Sequence, residues 1–183
     1  MSEENPEVVK VFAQIGLCAT QYATLEFHTQ FLLSYLHTGK EMSLETVIFT
    51  RQASFAEKLK LIKEFAAYRL NKHPDICNKV LALASDIDKQ RERRNLFIHG
   101  FWLVNEVVIM EGLVRVSDTK WKYNKDRVEY RAMETTDISL ADLKKLPVEI
   151  NELIRRIPEL IKELKKYAQP ETKDKKEQSS PNG

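Results

Sequence analysis

The chain has 183 residues, 43% of them hydrophobic, and a formal net charge of +2, enough for one respectable core with a short appendage. Five glycines and six prolines are too few for a turn-rich β fold and favour helices. Cys18 and Cys77 stand alone in apolar patterns with no CxxC spacing, which excludes a disulfide framework and predicts buried thiols of a reducing compartment. Met1 to Pro6 are acidic where a signal peptide is basic, and no apolar run approaches a membrane span, so a soluble cytoplasmic protein is expected.

Pro6 suits a first helical turn, and Val8, Val11, Phe12, Ile15, Cys18, Ala19, Tyr22, Leu25, Leu32, Leu33 and Leu36 recur at steps of three and four. That spacing predicts one long amphipathic helix to about Leu36, stopped by Gly39. Glu26 falls on the stripe between Tyr22 and Thr29, so a carboxylate there needs a cationic partner. His28 and His37 have no companion at metal-ligand spacing and read as surface or boundary residues.

Residues 43–50 form a short apolar segment of one or two helical turns. Ser54-Phe55-Ala56-Glu57 is a capping box for a helix that buries Leu59, Ile62, Phe65, Ala66 and Leu70 and ends at Asn71. Pro74 opens the next helix, with Ile76, Val80, Leu83 and Ile87 as its apolar stripe. Continuing the spacing lands on Arg91, Arg94 and Ile98, which turns Arg94 toward the interior. A guanidinium cannot lose its proton to escape burial, so it needs a carboxylate, a neighbouring subunit or an anionic ligand; Glu26 is the candidate carboxylate.

Arg94-Asn95-Leu96-Phe97-Ile98-His99-Gly100 closes that helix. His99 is five residues beyond Arg94 and rotated by roughly 140°, whereas Asn95 lies one turn before it on the same side. Gly100 suits a left-handed helix end, which leaves His99 at the negative end of the dipole, where the imidazolium is favoured. Residues 1–50 hold two basic and six acidic side chains and residues 51–100 eleven and six, so a surplus of five positive charges sits beside the motif. Such a surplus draws in a polyanion or merely lines a solvated helical face.

The motif resembles that of the HEPN family (higher eukaryotes and prokaryotes nucleotide-binding domains), small helical bundles with an Arg, a polar residue, a few apolar residues and a His. The match is Arg94, Asn95 and His99, followed by Gly100 and Trp102, and the architectural likeness covers about residues 5–104. It implies a helical bundle whose active members are metal-independent endoribonucleases, with paired protomers bringing two motifs into one cleft. A homodimer is therefore expected, with RNA as substrate or ligand and no cofactor or metal. The expected role is that of a toxin or defence component governed by an antitoxin or other regulatory protein.

After Gly100 the pattern turns to β-branched and aromatic runs. Phe101–Val104, Val107–Val116 and about Trp121–Met133 read as strands of a small antiparallel hairpin or sheet, with turns at Asn105-Glu106 and at Asp118-Thr119 or Asn124-Lys125-Asp126. Gly112 marks a bulge. Trp121, Lys122, Tyr123, Lys125, Arg127, Tyr130 and Arg131 mix aromatic with basic groups, as a grip on single-stranded RNA does and as a half-buried strand also does. Arg91, Arg93, Lys122, Tyr123 and Arg127 are the candidate RNA contacts.

Ser139 and Asp142 cap a final helix with apolar residues at Leu143, Leu146, Ile150, Leu153, Ile157, Leu160, Leu164 and Tyr167. Its stripe either closes the bundle or forms a dimer face, and Pro147 and Pro158 are expected to bend or break it. Residues 1–168 thus read as one mainly α domain with a β insertion at about 101–134, and residues 169–183 as a disordered charged tail.

No GxGxxG after a strand, P-loop, HExxH, Cys/His cluster or nucleophile elbow is present, which leaves dinucleotide, NTP, zinc and seryl or cysteinyl chemistry without support. An Arg, an amide and a His suffice for transesterification of RNA: His99 moves protons at the 2′-hydroxyl and the leaving oxygen, Arg94 stabilises the phosphoryl charge, and Asn95 holds the ring or the substrate. Two other readings use the same residues. Arg94 and His99 serve only to fix the bundle, or the protein is a noncatalytic member that binds RNA, a nucleotide or a protein partner.

Overall fold

The computed structural model describes residues 5–124 and 127–167, with side chains other than those of residues 92, 106 and 118–134. The chain is mainly helical, with a three-stranded antiparallel sheet before the last helix. In order come α1 (Pro6–Thr38), α2 (Leu44–Thr50), α3 (Phe55–Arg69), α4 (Pro74–His99), β1 (Phe101–Leu103), α5 (Glu106–Met110), β2 (Leu113–Asn124), β3 (Arg127–Ser139) and α6 (Leu140–Leu164). Lys125, the rest of the expected Asn124-Lys125-Asp126 turn, and the expected tail at 169–183 lie outside the described residues. No helix among the described residues is long and apolar enough to cross a membrane.

Local chemistry sets the helix ends. Asn5 accepts from the Glu7 amide at the start of α1, and Gly39 ends it with a left-handed φ of 76°. Ser54 and Glu57 form the reciprocal capping box of α3, and Ser139 accepts from the Asp142 amide at the start of α6. The apolar faces of α1, α3, α4 and α6 share one core with Val114 of the sheet. Cys18 is fully buried within it, and burial pushes its thiol up to about 11. Phe12, expected on the α1 stripe, is half exposed.

The α6 stripe closes the bundle against α1 and α4, so it offers no dimer face; Tyr167, past the helix end, is partly exposed beside His73. The helix also runs unbroken through Pro147 and Pro158. Proline at 147 withdraws the amide that the Leu143 carbonyl expects. That carbonyl accepts instead from Gln14 Nε2 at 3.3 Å and the Cys18 thiol at 3.8 Å, both on α1. Tertiary packing thus replaces the lost bond, which a single-helix reading cannot foresee.

Residues 101–139 depart from the expected strands in three ways. Residues 106–110 are a helical turn, because Asn105 accepts from the Val108 amide and caps it. Gly112 turns the chain into β2 with a φ of 72°, and the bulge lies between Thr119 and Trp121. Asp118-Thr119 is no turn; both residues pair with Glu134 and Met133 on β3.

Gly100 is extended (φ −72°, ψ 146°) and not left-handed, so its need for glycine is steric. A Cβ there would lie 2.3 Å from the Leu96 carbonyl oxygen and 2.5 Å from Val116 Cγ2. Gly100→Ala is expected to cost about 2 kcal/mol and to lower the melting temperature by roughly 4–8 °C. Gly16→Ala, in the middle of α1 with nothing within 4 Å, is expected to raise it. Equal effects of the two in thermal melts would contradict the packing described.

Acid should loosen the bundle. A hydrogen bond from Lys89 holds the Asp86 carboxyl below the usual carboxylate range, and one from Arg91 does so for Asp88. Asp86 also accepts from Arg156 of α6, and Asp88 faces Lys63 of α3. A carboxyl whose folded pKa is lowered adds stability above its ordinary value of 3.8 and loses it as pH falls through the folded value. Melting temperature should hold level from about pH 5 to 7 and fall below about pH 4; a level profile down to pH 2 would contradict this.

Candidate functional site

The stripe of α4 runs Ile76, Val80, Leu83 and Ile87, then Gln90, Arg94 and Phe97. The step after Ile87 is three residues, not four, so Phe97 is buried and Ile98, expected on the stripe, is 39% exposed. Phe97 packs between the rings of Tyr22 (5.7 Å) and Trp102 (4.7 Å), and the Tyr22 hydroxyl donates to Gln90 Oε1 at 3.3 Å. These contacts fix the rotation of the last two turns of α4 and direct Arg94 at α1.

Glu26 is the carboxylate that faces it. Arg94 Nη2 donates to Glu26 Oε2 at 2.7 Å, and the two side chains are only 19% and 25% exposed. Lys58 of α3 donates to the other oxygen, Glu26 Oε1, at 3.4 Å. One carboxylate thus joins three helices. Arg94 Nη1 donates to Asn95 Oδ1 at 3.1 Å, while Arg94 Nε is buried with no acceptor.

The bond from Arg94 takes up the Asn95 carbonyl oxygen and turns the amide nitrogen away from the guanidinium. Asn95 and His99 are both exposed, one turn apart on one side of α4. His99 has no hydrogen bond or ion pair with any described residue. Arg94 and His99 diverge on one helix, and Asn95 connects them: it touches Arg94 and shares a side with His99.

Arg94 also lines an open cleft of about 490 Å³ between α1, α2, α3 and α4. Glu26 and the cations Arg51 and Lys58 line it on the polar side, and Phe27, Met42 and Val47 form its apolar wall. Of the residues lining this cleft, sequence spacing marked only Glu26 and Arg94. The cleft arises only when α2 folds across α1, where Thr46 meets His37 and Thr50 meets Gln30.

Of the other candidate RNA contacts, Arg91 and Arg93 do not converge on this site. Arg91 donates to Asp88 at 3.0 Å beside Lys63 of α3, whereas Arg93 donates to Glu149 of α6 at 3.3 Å. Two residues span roughly 200° of helix, so the two point to opposite neighbours. Lys122, Tyr123 and Arg127 sit at the β2–β3 tip, in register with Glu129, Val128 and Asn124; their side chains are outside the described set. The expected basic face is largely divided into ion pairs, including Lys60–Glu64, Lys79–Glu163 and Lys89–Asp86. Among the described residues, no three His, Cys, Asp or Glu side chains cluster as metal ligands do.

Glu26 is the member whose loss should cost most. Glu26→Ala strands two poorly exposed cations, whereas Arg94→Ala leaves Glu26 with Lys58. Chemical unfolding should show Glu26→Ala costing about 3 kcal/mol and Arg94→Ala about half as much. Equal costs, or a larger one for Arg94→Ala, would contradict the shared-carboxylate arrangement. The chain matches no protein-family model, and comparison with curated proteins and with solved structures gave no match.

Proposed function

We propose that the protein is a metal-independent endoribonuclease whose working face is Asn95 and His99, positioned by Arg94 and Glu26. The observation that carries this reading is an exposed imidazole, without a bonding partner among the described residues, one turn from an amide whose orientation is fixed by a tethered guanidinium. The resemblance of Arg94, Asn95 and His99 to the HEPN motif points the same way.

In this reading His99 takes the proton of a ribose 2′-hydroxyl as its oxygen attacks the adjacent phosphorus. The bond from phosphorus to the 5′-oxygen breaks, and the imidazolium hands the proton to that departing oxygen. The products are a 2′,3′-cyclic phosphate and a 5′-hydroxyl. The free amide of Asn95 donates to a phosphoryl oxygen as charge builds there, and Arg94, paired with Glu26, holds that amide in place.

Purified protein in excess EDTA is expected to cleave single-stranded RNA and leave cyclic phosphate ends. His99→Ala should lower the rate by roughly a hundredfold or more with the melting temperature unchanged, since no described residue bonds to the His99 ring. Asn95→Ala should lower it by at least roughly tenfold. Cleavage that persists in His99→Ala, or intact RNA with every preparation, would reject the mechanism. RNA retarded in a salt-dependent manner yet left whole would favour the noncatalytic binding module.

A further inference from the structure

The outer face of α2 is apolar and uncovered. Leu44 and Ile48 are 73% and 60% exposed, Phe49 is 59% exposed, and Val47, Met42 and Phe27 extend the same surface to the Arg94 cleft. A continuous apolar patch of this kind on a short polar-tipped helix marks a contact surface. Its charges identify the occupant. Glu45 and Arg51 are exposed, and neither forms an ion pair with any described residue, in a chain where most described Lys and Arg side chains do.

Glu45 and Arg51 lie three residues before and three after Ile48, and Arg51 still has helical backbone angles (φ −58°, ψ −30°). On a helix these positions sit about 4.5 Å to either side of Ile48 along the axis and about 60° to opposite flanks. A two-fold axis through Ile48 exchanges both displacements at once. Glu45 of one copy then lies over Arg51 of the other, twice, around an Ile48–Ile48 centre. The surface is therefore complementary to itself in charge as well as apolar.

We infer that two copies of this chain pair through antiparallel α2 helices about that axis. Val47 and Phe49, one residue to either side of Ile48 and about 100° around the helix to opposite flanks, border this contact without facing across it. The inference goes beyond the ribonuclease reading and does not depend on His99.

Mass measurement in solution by light scattering, on the full chain at tens of micromolar, is expected to give twice the chain mass. Ile48→Asp, which lies on the solvent side of α2, should raise the dimer dissociation constant by roughly a hundredfold and leave the helical circular dichroism unchanged. Glu45→Arg and Arg51→Glu should each weaken the dimer by roughly tenfold, and the two together should restore it. A monomeric wild type, or a dimer untouched by Ile48→Asp and by both single charge reversals, would overturn the pairing. A monomer that still cleaves RNA through His99 would remove this interface alone, and a dimer that leaves RNA intact would remove the ribonuclease reading alone.

Discussion

One carboxylate organises this molecule. Glu26 takes Arg94 from α4 on one oxygen and Lys58 from α3 on the other, from a helix that also carries much of the core. The three side chains are poorly exposed, so the two cations both depend on the one carboxylate, whereas Glu26 keeps a partner when either cation is removed. That constraint fixes how α1, α3 and α4 stand against one another near the open end of the bundle. It also fixes Asn95, because the guanidinium that answers Glu26 holds the neighbouring amide with its second nitrogen.

From this follows a division of labour along the last turns of α4. The inward side, Gln90, Arg94 and Phe97, is bonded or packed at every position, whereas Asn95 and His99 meet solvent. Chemistry needs the second condition and precision needs the first. A histidine on a frayed helix end would wander. Here Gly100 lies against the Leu96 carbonyl and Val116, and Trp102 packs on Phe97, so the sheet pins the end that carries His99.

Much of the bundle was legible because its periods are long. The apolar positions of α6 recur without a miss, and the Ser54–Glu57 box and the Gly39 stop mark helix ends by local chemistry alone. Glu26 stands on an apolar stripe, where a carboxylate advertises a need for a partner. What was not legible depends on contacts across the fold. Pro147 leaves α6 intact because Gln14 and Cys18 of α1 take over the freed carbonyl. Val107 to Met110 have strand-like composition, yet the Asn105 side chain caps them into a helical turn. The phase of α4 slipped by one residue because Phe97 and Ile98 are equally apolar, and only Tyr22 and Trp102 select between them. The surplus of basic residues at 51–100 suggested a face, but helical rotation sends Arg91 and Arg93 to different neighbours.

The central claim is that Asn95 and His99 together meet RNA on a face held rigid from behind. Imidazole resonances report on it directly, because His28, His37 and His73 lie elsewhere in the fold and serve as internal controls. Titrating the protein with a single-stranded RNA methylated at every 2′-oxygen, in EDTA, prevents cleavage and leaves binding to be seen. The account predicts that the His99 resonances move with saturation while those of the other three histidines hold still. Saturable binding that leaves His99 unmoved would contradict it.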